Sequence, residues 1–396
     1  MDGFSMDLPA GARFVLERLT GAGFAAYVVG GCVRDAMRGD APKDYDVCTS
    51  ALPGETKRVF SDCRTVDTGL AHGTVTVIAR GEPYEVTTFR VDGAYADHRH
   101  PDRVDFVRQV ERDLARRDFT VNAMAYNPWQ GLCDPFGGRA DLRAGCIRCV
   151  GEPARRFSED ALRILRALRF AATNAFAIEA ETARAARALA PDLAHVARER
   201  VTAELCKLLC GRAAGAVVRA FPDVLAQALP APLCAEGLDA VPPEVALRLA
   251  HALHVAPDPG AALAALRLPK RTERAVRELI AHFGAPRPET PAQARRLLRE
   301  IGPERAAELA RLRAWPPGAL EEALARGDAY SIPQLAITGA DLAAAGIPAG
   351  PGVGRLLRAL LDGVVEGEIA NERAALLCAA QRWNLQEEES CRWTKA

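Results

Sequence analysis

The sequence predicts an α+β protein, a small head of mixed strands and helices followed by a long all-helical stretch. Three observations predict it. β-Branched and aromatic runs bounded by Gly, Pro or Asp are confined to about the first 145 residues. From about residue 158 the composition shifts to Ala, Leu, Arg and Glu with helical periodicity. Proline-rich breaks then cut that half into short helices. At 396 residues, 49% of them hydrophobic, the chain is long enough for two or more domains with real cores.

Taken in order, a leading helix is expected over about Ala12–Ala22, then strands at Ala25–Val29, Tyr45–Thr49, Gly73–Ala79 and Tyr84–Arg90. Helical breaks fall near Pro191, Pro230–Pro232, Pro242, Pro286–Pro291 and Pro316. No fixed-period repeat is visible. The 51 basic and 51 acidic residues cancel, so no strongly basic surface advertises a nucleic acid, although charge can be segregated locally. Eleven cysteines without a disulfide rhythm suit a reducing cytoplasm. Cys146 and Cys149 form a lone CxxC that reads as two strand residues rather than a zinc site. No apolar run reaches about 18 residues, so no membrane span is expected. The N-terminal MDGFSMDLPAGARF lacks a basic n-region and an apolar core, so no secretory signal is expected.

The chemistry is concentrated in the head. Asp44 and Asp46, in PKDYDVCT, stand one residue apart in a strand-like run, so their side chains share a face at a Cα separation of about 7 Å. That spacing suits an oxygen-seeking cation such as Mg²⁺. Upstream, the Gly30–Gly31 pair lets backbone approach a phosphate, and Arg34 follows in the first helical turn. Glu85, in YEVTTFR, is a third carboxylate, on a segment able to pair beside the aspartate strand. Three acids converging there would repel one another without metal. Asp-x-Asp alone is common in loops, and an exposed strand Glu needs no function. The combination points to two-metal phosphoryl transfer on a nucleotide.

GGCVRDAM, KDYDVCT, EVTTFR, LARRDFTVNAMAYNP, DPFGGRADL and RRFSEDALRILRALRF occur in that order. With them the chain resembles the class II tRNA nucleotidyltransferases, the CCA-adding enzymes, and the related bacterial poly(A) polymerases. The likeness covers about the first 210 residues closely and returns more weakly in ITGADLAAAGIPAGPGVGRLLRALL. It implies a polymerase-β-like nucleotidyltransferase head over residues 1–145, a helical neck over 146–215, a helical body over 216–300 and a tRNA-binding helical tail over 301–396. It also implies roles for single positions. Asp44 and Asp46 would bind Mg²⁺, Gly31 and Arg34 would hold the triphosphate, Arg117 would contact the incoming nucleotide, and Asp118 would sense its ribose. The implied reaction is template-independent addition of C, C and A to the 3′ end of tRNA from CTP and ATP, releasing pyrophosphate, by a monomer or homodimer.

Ser158 reads as the N-cap of a helix opening on Glu159 and Asp160, which places Asp160 and Arg163 as i,i+3 neighbours on one face. Such a pair is ordinarily surface electrostatics. As a base reader it has a sharper meaning. Cytosine and adenine each offer an amino donor beside a ring acceptor, whereas uracil and guanine offer the reverse. An ionised Asp only accepts and an Arg only donates, so the pair suits C and A. Each mismatch would leave buried polar groups unpaired, at roughly 1–3 kcal/mol apiece. In the family this face acts as a protein template for the incoming base. Arg163, Arg166 and Arg169 cannot all read one base, because an ideal helix turns about 100° per residue and sets Arg169 opposite Asp160. The family uses equivalents of all three, so Arg163 is assigned to the base, Arg166 to nearby phosphate or to support, and Arg169 to the nucleotide site with them. Leu162, Leu165 and Leu168 supply a packing row, and Glu199, Arg200 and Glu204 read as a helix-bracing ion-pair set.

Poly(A) polymerase and A-only addition are the close alternatives. TVDTGLAHGTVTV stands where bacterial poly(A) polymerases usually carry an arginine-rich strand, which favours CCA addition. FRVDGAYADHRHPDRVDF is retained after the TTFR strand, as addition of A requires; its His98 and His100 read as solvated rather than zinc-bound. In RLAHALHVAP, His254 is followed by Val255 rather than Asp, so no metal phosphohydrolase activity is expected. A non-catalytic RNA binder would have no need of Asp44 and Asp46. Arg295–Arg296–Arg299, Lys270–Arg271–Arg274 and Arg355–Arg358 are candidate phosphate contacts in the helical half, the last beside the glycine-rich GIPAGPGVGRLL.

Overall fold

The structure, a computed structural model, describes residues 4–93 and 104–393, so His98, His100 and their neighbours lie outside the described residues. The chain divides into two compact units, Met1–Asp239 with Val255–Leu268, and Ala240–His254 with Pro269–Ala396.

In the first unit, helix α1 (Ala10–Gly21) packs against the sheet through Val15, Leu16 and Leu19, all fully buried. Each is worth about 2 kcal/mol of apolar burial. Strand β1 (Ala26–Val29) leads through Gly30 into α2 (Gly31–Arg38), and β2 (Val47–Thr49) returns antiparallel to it. After α3 (Pro53–Val59) come β3 (Thr65–Gly69), β4 (Thr74–Ala79) and β5 (Glu82–Thr88). The β4–β5 hairpin closes through Arg80 and Gly81 with φ of 54° and 87°, the left-handed pair that a two-residue turn needs to match strand twist. A short hairpin of β6 (Arg90–Asp92) and β7 (Val104–Phe106) precedes α4 (Val110–Leu114), and β8 (Ala125–Asn127) and β9 (Gly131–Cys133) complete the sheet. Its order is β3-β4-β5-β2-β1-β8-β9, mixed because β2 runs parallel to β5. Tyr27, Val29, Cys48, Phe89, Leu114 and Ala125 form a buried cluster on one face.

The leading helix and all four expected strands are present, with shifted ends. β2 starts at Val47 rather than Tyr45, and the Tyr84–Arg90 run breaks at Phe89 before Arg90 opens β6. Three-residue strands such as β8 and β9 carry too little alternation to be read from sequence.

DPFGGRADL proves to be a folding device. The Asp134 carboxylate accepts the Gly138 and Arg139 amides at 2.7 and 2.9 Å, opening α5 (Gly138–Ala144). A Cβ on Gly138 would lie 2.1 Å from the Thr120 carbonyl, so only glycine lets α5 approach that turn. After β10 (Cys146–Ile147) come α6 (Pro153–Glu159), α7 (Leu162–Asn174), β11 (Ala177–Ile178), α8 (Ala180–Ala188), α9 (Arg198–Leu209), α10 (Ala214–Ala220) and α11 (Pro222–Ala228). Ile164, Leu165 and Leu168 of α7 are fully buried.

The helices continue as α12 (Val245–Leu253), α13 (Pro259–Leu266), α14 (Lys270–Ala281), α15 (Pro291–Leu312), α16 (Ala319–Arg326), α17 (Gly339–Ala344), α18 (Pro351–Glu366) and α19 (Arg373–Trp393), α13 alone belonging to the first unit. α15 is broken at Gly302 (φ 77°, ψ 166°), followed by Pro303, which has no amide proton to continue the ladder. Leu342, Leu360, Val364, Val365 and Leu376 form the core beneath α17 to α19. No helix among the described residues is long and apolar enough to cross a membrane.

Candidate active site

The site is built where β1 ends. Gly30 has φ 79°, and a Cβ there would stand 3.1 Å from the Arg117 guanidinium, so glycine is required both for the turn and for the close approach of Arg117. The Gly30 amide donates to the Met124 carbonyl at 3.0 Å, tying the turn to β8. Gly31 starts α2, whose first amides have no partner within the helix, and Arg34 follows one turn after Gly30.

Asp44 and Asp46 precede β2 instead of lying within it. The ladder reaches Asp46, whose carbonyl accepts the Val29 amide at 3.0 Å, and Asp44 stands beyond it. Both side chains are exposed, and among the described residues neither makes a hydrogen bond or ion pair. Surrounding protein raises the Asp46 carboxyl above the usual range, the charges of Asp44 and Glu85 raise it further, and Arg117 opposes them. Glu85 lies on β5 one residue before Val86, the partner of Val47, and is therefore level with Asp46. Glu85 is a charged neighbour of the aspartates, but among the described residues no three His, Cys, Asp or Glu side chains gather at metal-holding distance. The Cys149 thiol of the CxxC is buried and pushed up to about 12.

Every other acid of the site is gripped by arginine. Asp113, on α4 and fully buried, accepts Arg116 at 2.9 Å and Arg117 at 3.3 Å; burial would push its carboxyl up, yet the two guanidinium groups hold it below the usual range. Arg117 keeps a buried Nε with no partner among the described residues. Asp118, 7% exposed, takes Arg166 at 2.6 Å; against the raising effect of burial, Arg166 lowers it. Asn122 joins this pair to α2, accepting from Arg34 at 2.5 Å and donating to Asp118 at 3.4 Å.

The expected helix opening at Ser158 is not there. Ser158 sits in the last turn of α6, its hydroxyl bonded back to the Ala154 carbonyl at 2.9 Å, as serine does within a helix. The helix ends at Glu159, and Asp160 adopts an extended conformation (φ −147°, ψ 105°) that lets its carboxylate accept the Leu162 amide at 3.0 Å at the start of α7. Asp160 and Arg163 are therefore not an i,i+3 ion pair. Arg163 bonds Glu159 at 2.6 Å, and Asp160 takes Arg200 of α9 at 3.1 Å. Arg169 pairs with Glu204 at 2.6 Å, also from α9. Glu199 meets Arg267 at 2.8 Å. The expected bracing set on α9 thus does not brace its own helix; Arg200 and Glu204 clamp the segment carrying Asp160 and Arg169. Phe170, which sequence reasoning passed over, has the guanidinium carbons of Arg169, Arg34 and Arg166 at 3.9, 5.3 and 5.5 Å from its ring centre. The aromatic ending RALRF was the available signal. Asn122, inside LARRDFTVNAMAY, and Asp113 gave none.

Three family models match: a poly A polymerase head domain over residues 26–148, a probable RNA- and SrmB-binding site of polymerase A over 175–221, and a putative tRNA nucleotidyltransferase domain 2 over 245–380. The CCA-adding enzyme of Geobacillus stearothermophilus is 40% identical over 95% of this chain and 98% of its own length. The chain belongs to the CCA-adding enzyme family. A second member, from Limosilactobacillus fermentum, is 38% identical over 93% of this chain and 96% of its own. The crystal structure of the Bacillus stearothermophilus CCA-adding enzyme in complex with CTP superposes with a TM-score of 0.78 at 36% identity, covering 96% of this chain and 98% of that one. The Thermotoga maritima CCA-adding enzyme complexed with tRNA shares the fold, with a TM-score of 0.67 at 21% identity over 94% of both chains.

Proposed function

We infer that this protein adds C, C and A to the 3′ end of tRNA from CTP and ATP, releasing pyrophosphate. The observation that carries the reading is the Asp44/Asp46 pair, left with Glu85 without arginine in a site where Asp113, Asp118, Asp160 and Glu204 are each paired with one. The full-length likeness to CCA-adding enzymes, one of them solved with CTP, supports it.

A divalent cation is implied by the family, and these residues fit one. The donors are hard carboxylate oxygens, and Asp46, raised first by the surrounding protein and then by the charges of Asp44 and Glu85, is relieved by positive charge. Asp44 and Asp46 would hold it, and we assign it as Mg²⁺. When bound, the ion would lower the charge cost of attack by the RNA 3′-hydroxyl on the α-phosphorus and of pyrophosphate departure. Gly31 and the first amides of α2, with Arg34, hold the triphosphate. Arg117, held by Asp113, contacts the nucleotide. Asp118 faces the ribose, fixed by Arg166 and Asn122. Asp160 and Arg163 read the base edge, each oriented by its own partner, which leaves a carboxylate to accept and a guanidinium to donate. Arg166 and Arg169 support this arrangement through Asp118 and Glu204. Glu85 tunes the charge around the aspartates.

The four-part division into head, neck, body and tail over 1–145, 146–215, 216–300 and 301–396 remains our working description. We place the protein in the cytoplasm, where reducing conditions keep cysteines free, as they are among the described side chains. Incubation with tRNA lacking its tail, Mg²⁺, CTP and ATP, followed by sequencing of the product, tests the reading. CCA ends that vanish with EDTA support it. Long poly(A) tails made without CTP would replace it with poly(A) polymerase.

A further inference from the structure

Arg156 lies on α6 and has no role assigned above, yet it is 9% exposed and makes four hydrogen bonds. Its Nε donates to the Val150 carbonyl at 3.2 Å, Nη2 to the Ala115 carbonyl at 3.0 Å, and Nη1 to the Arg116 carbonyl at 3.2 Å and the Glu159 carboxylate at 2.8 Å. A buried guanidinium is tolerated only when its donors are met, and here main chain meets most of them. Two of its acceptors are shared with Arg163, which bonds Glu159 at 2.6 Å and the Arg116 carbonyl at 3.3 Å, and also the Arg156 carbonyl at 3.1 Å.

The placement of these acceptors matters. Ala115 and Arg116 immediately precede Arg117 and Asp118, which face the nucleotide and its ribose. Glu159 immediately precedes Asp160 and holds Arg163, which face the base. One side chain therefore spans the segment that holds the sugar and the segment that reads the base. We propose that Arg156 is a positioning residue for base selection, fixing Asp160 and Arg163 at a set distance and angle from Arg117 and Asp118. The inference rests on the assignment of Asp160 and Arg163 as base contacts.

Selection between C or A and U or G depends on hydrogen bonds that fail outright when mismatched, and this requires a site that does not yield. With Arg156 removed, Glu159 and the Arg116 carbonyl both lose their second donor, and Arg163 is drawn further onto them and away from the base edge. The 115–117 turn also loses its link to α6. A pocket that can shift accommodates the wrong base. Lysine cannot substitute, because one ammonium cannot reach carbonyls of two chain segments and a carboxylate in a fixed plane.

The test is Arg156→Lys in the full-length protein, with steady-state incorporation of CTP and UTP into tail-less tRNA and a thermal melt as the folding check. The ratio of kcat/KM for CTP over UTP is expected to fall about tenfold, the scale of one charge-assisted hydrogen bond, while KM for tRNA stays unchanged. In a Glu159→Gln background the same substitution is expected to cost clearly less, because the shared acceptor is already weakened. A folded Arg156→Lys protein with wild-type selectivity overturns the inference, as does a uniform loss with CTP and UTP that leaves the ratio intact. Should the lysine variant fail to fold, Arg156→Gln is measured in its place: retained selectivity overturns the proposal and lost selectivity supports it. Asp160→Asn separates the two levels. If it keeps full selectivity, the base-contact assignment is wrong and this inference falls with it; if it loses selectivity while Arg156→Lys does not, only this inference falls.

Discussion

The arginines around the candidate active site and those of the second unit are the same residue used in two physical regimes. Around the site they are largely buried: Arg166 grips Asp118 and Arg169 grips Glu204 from other elements, and Arg116 and Arg117 grip the fully buried Asp113 of the preceding turn. In the second unit many pairs lie at the surface, as with Arg271–Glu304, where the side chains are 88% and 67% exposed. Buried pairs hold position because separating them strands a charge, whereas surface pairs give little. The exceptions in each region are the informative residues. Asp44 and Asp46 are acids without arginine. Arg355 and Arg358, in the first turns of α18, are arginines without an acid partner among the described residues, while Arg295, Arg296 and Arg299 are taken by Asp328, Glu366 and Asp362. Unpaired charge is free for a ligand, and we propose a cation in one case and RNA phosphate in the other.

The largest effect is expected at the unpaired acids. Asp46→Ala should lower the rate of pyrophosphate release by more than about a hundredfold, since the metal supplies several kcal/mol to the reaction. Retained CTP binding in a filter assay would localise the loss to chemistry. Activity equal to wild type would break the assignment.

A buried pair comes next. Asp118→Ala leaves Arg166 without its carboxylate and should destabilise the first unit by about 3 kcal/mol in chemical denaturation. The pH dependence gives its sign. Asp118 is depressed in the folded state, so its contribution is complete above the unfolded-state value of about 4 and is lost as pH falls through the lower folded value. The gap between wild type and variant should therefore close on acidification. A constant gap would mean that the loss is packing rather than charge.

Arg355→Glu is expected to weaken tRNA binding several-fold and to flatten its salt dependence by about one unit of slope, with CTP binding intact. Unchanged tRNA affinity would remove α18 from the proposed interface. The smallest effect is predicted for Glu366→Ala, which frees the exposed Arg296. Its thermal midpoint should match wild type, and a clear drop would erase the contrast between the two regimes.

The motifs made much of this legible. GGCVRD gave the glycine turn into a helix, which the structure has at Gly30 and Gly31, because such a turn depends on local backbone. Helix α1 and the four principal strands followed from periodicity and turn residues. SEDALR was misread as one continuous helix, because Ser and two acids satisfy every local rule for an N-terminus. The break there is held by Arg200, which bonds Asp160 from 40 residues away, and by the Arg116 carbonyl, which Arg163 reaches across 47 residues; local rules cannot register either contact.

By itself, the sequence determined the composition of this protein: a mixed head before a helical body, the order of its motifs, and the identity of the acids and arginines at its centre. Only the tertiary structure decided which charges are spent on each other and which remain available. The reason is physical. Propensity and periodicity act over a few residues, whereas an ion pair forms between whichever groups folding brings within about 4 Å, however far apart they stand in the chain.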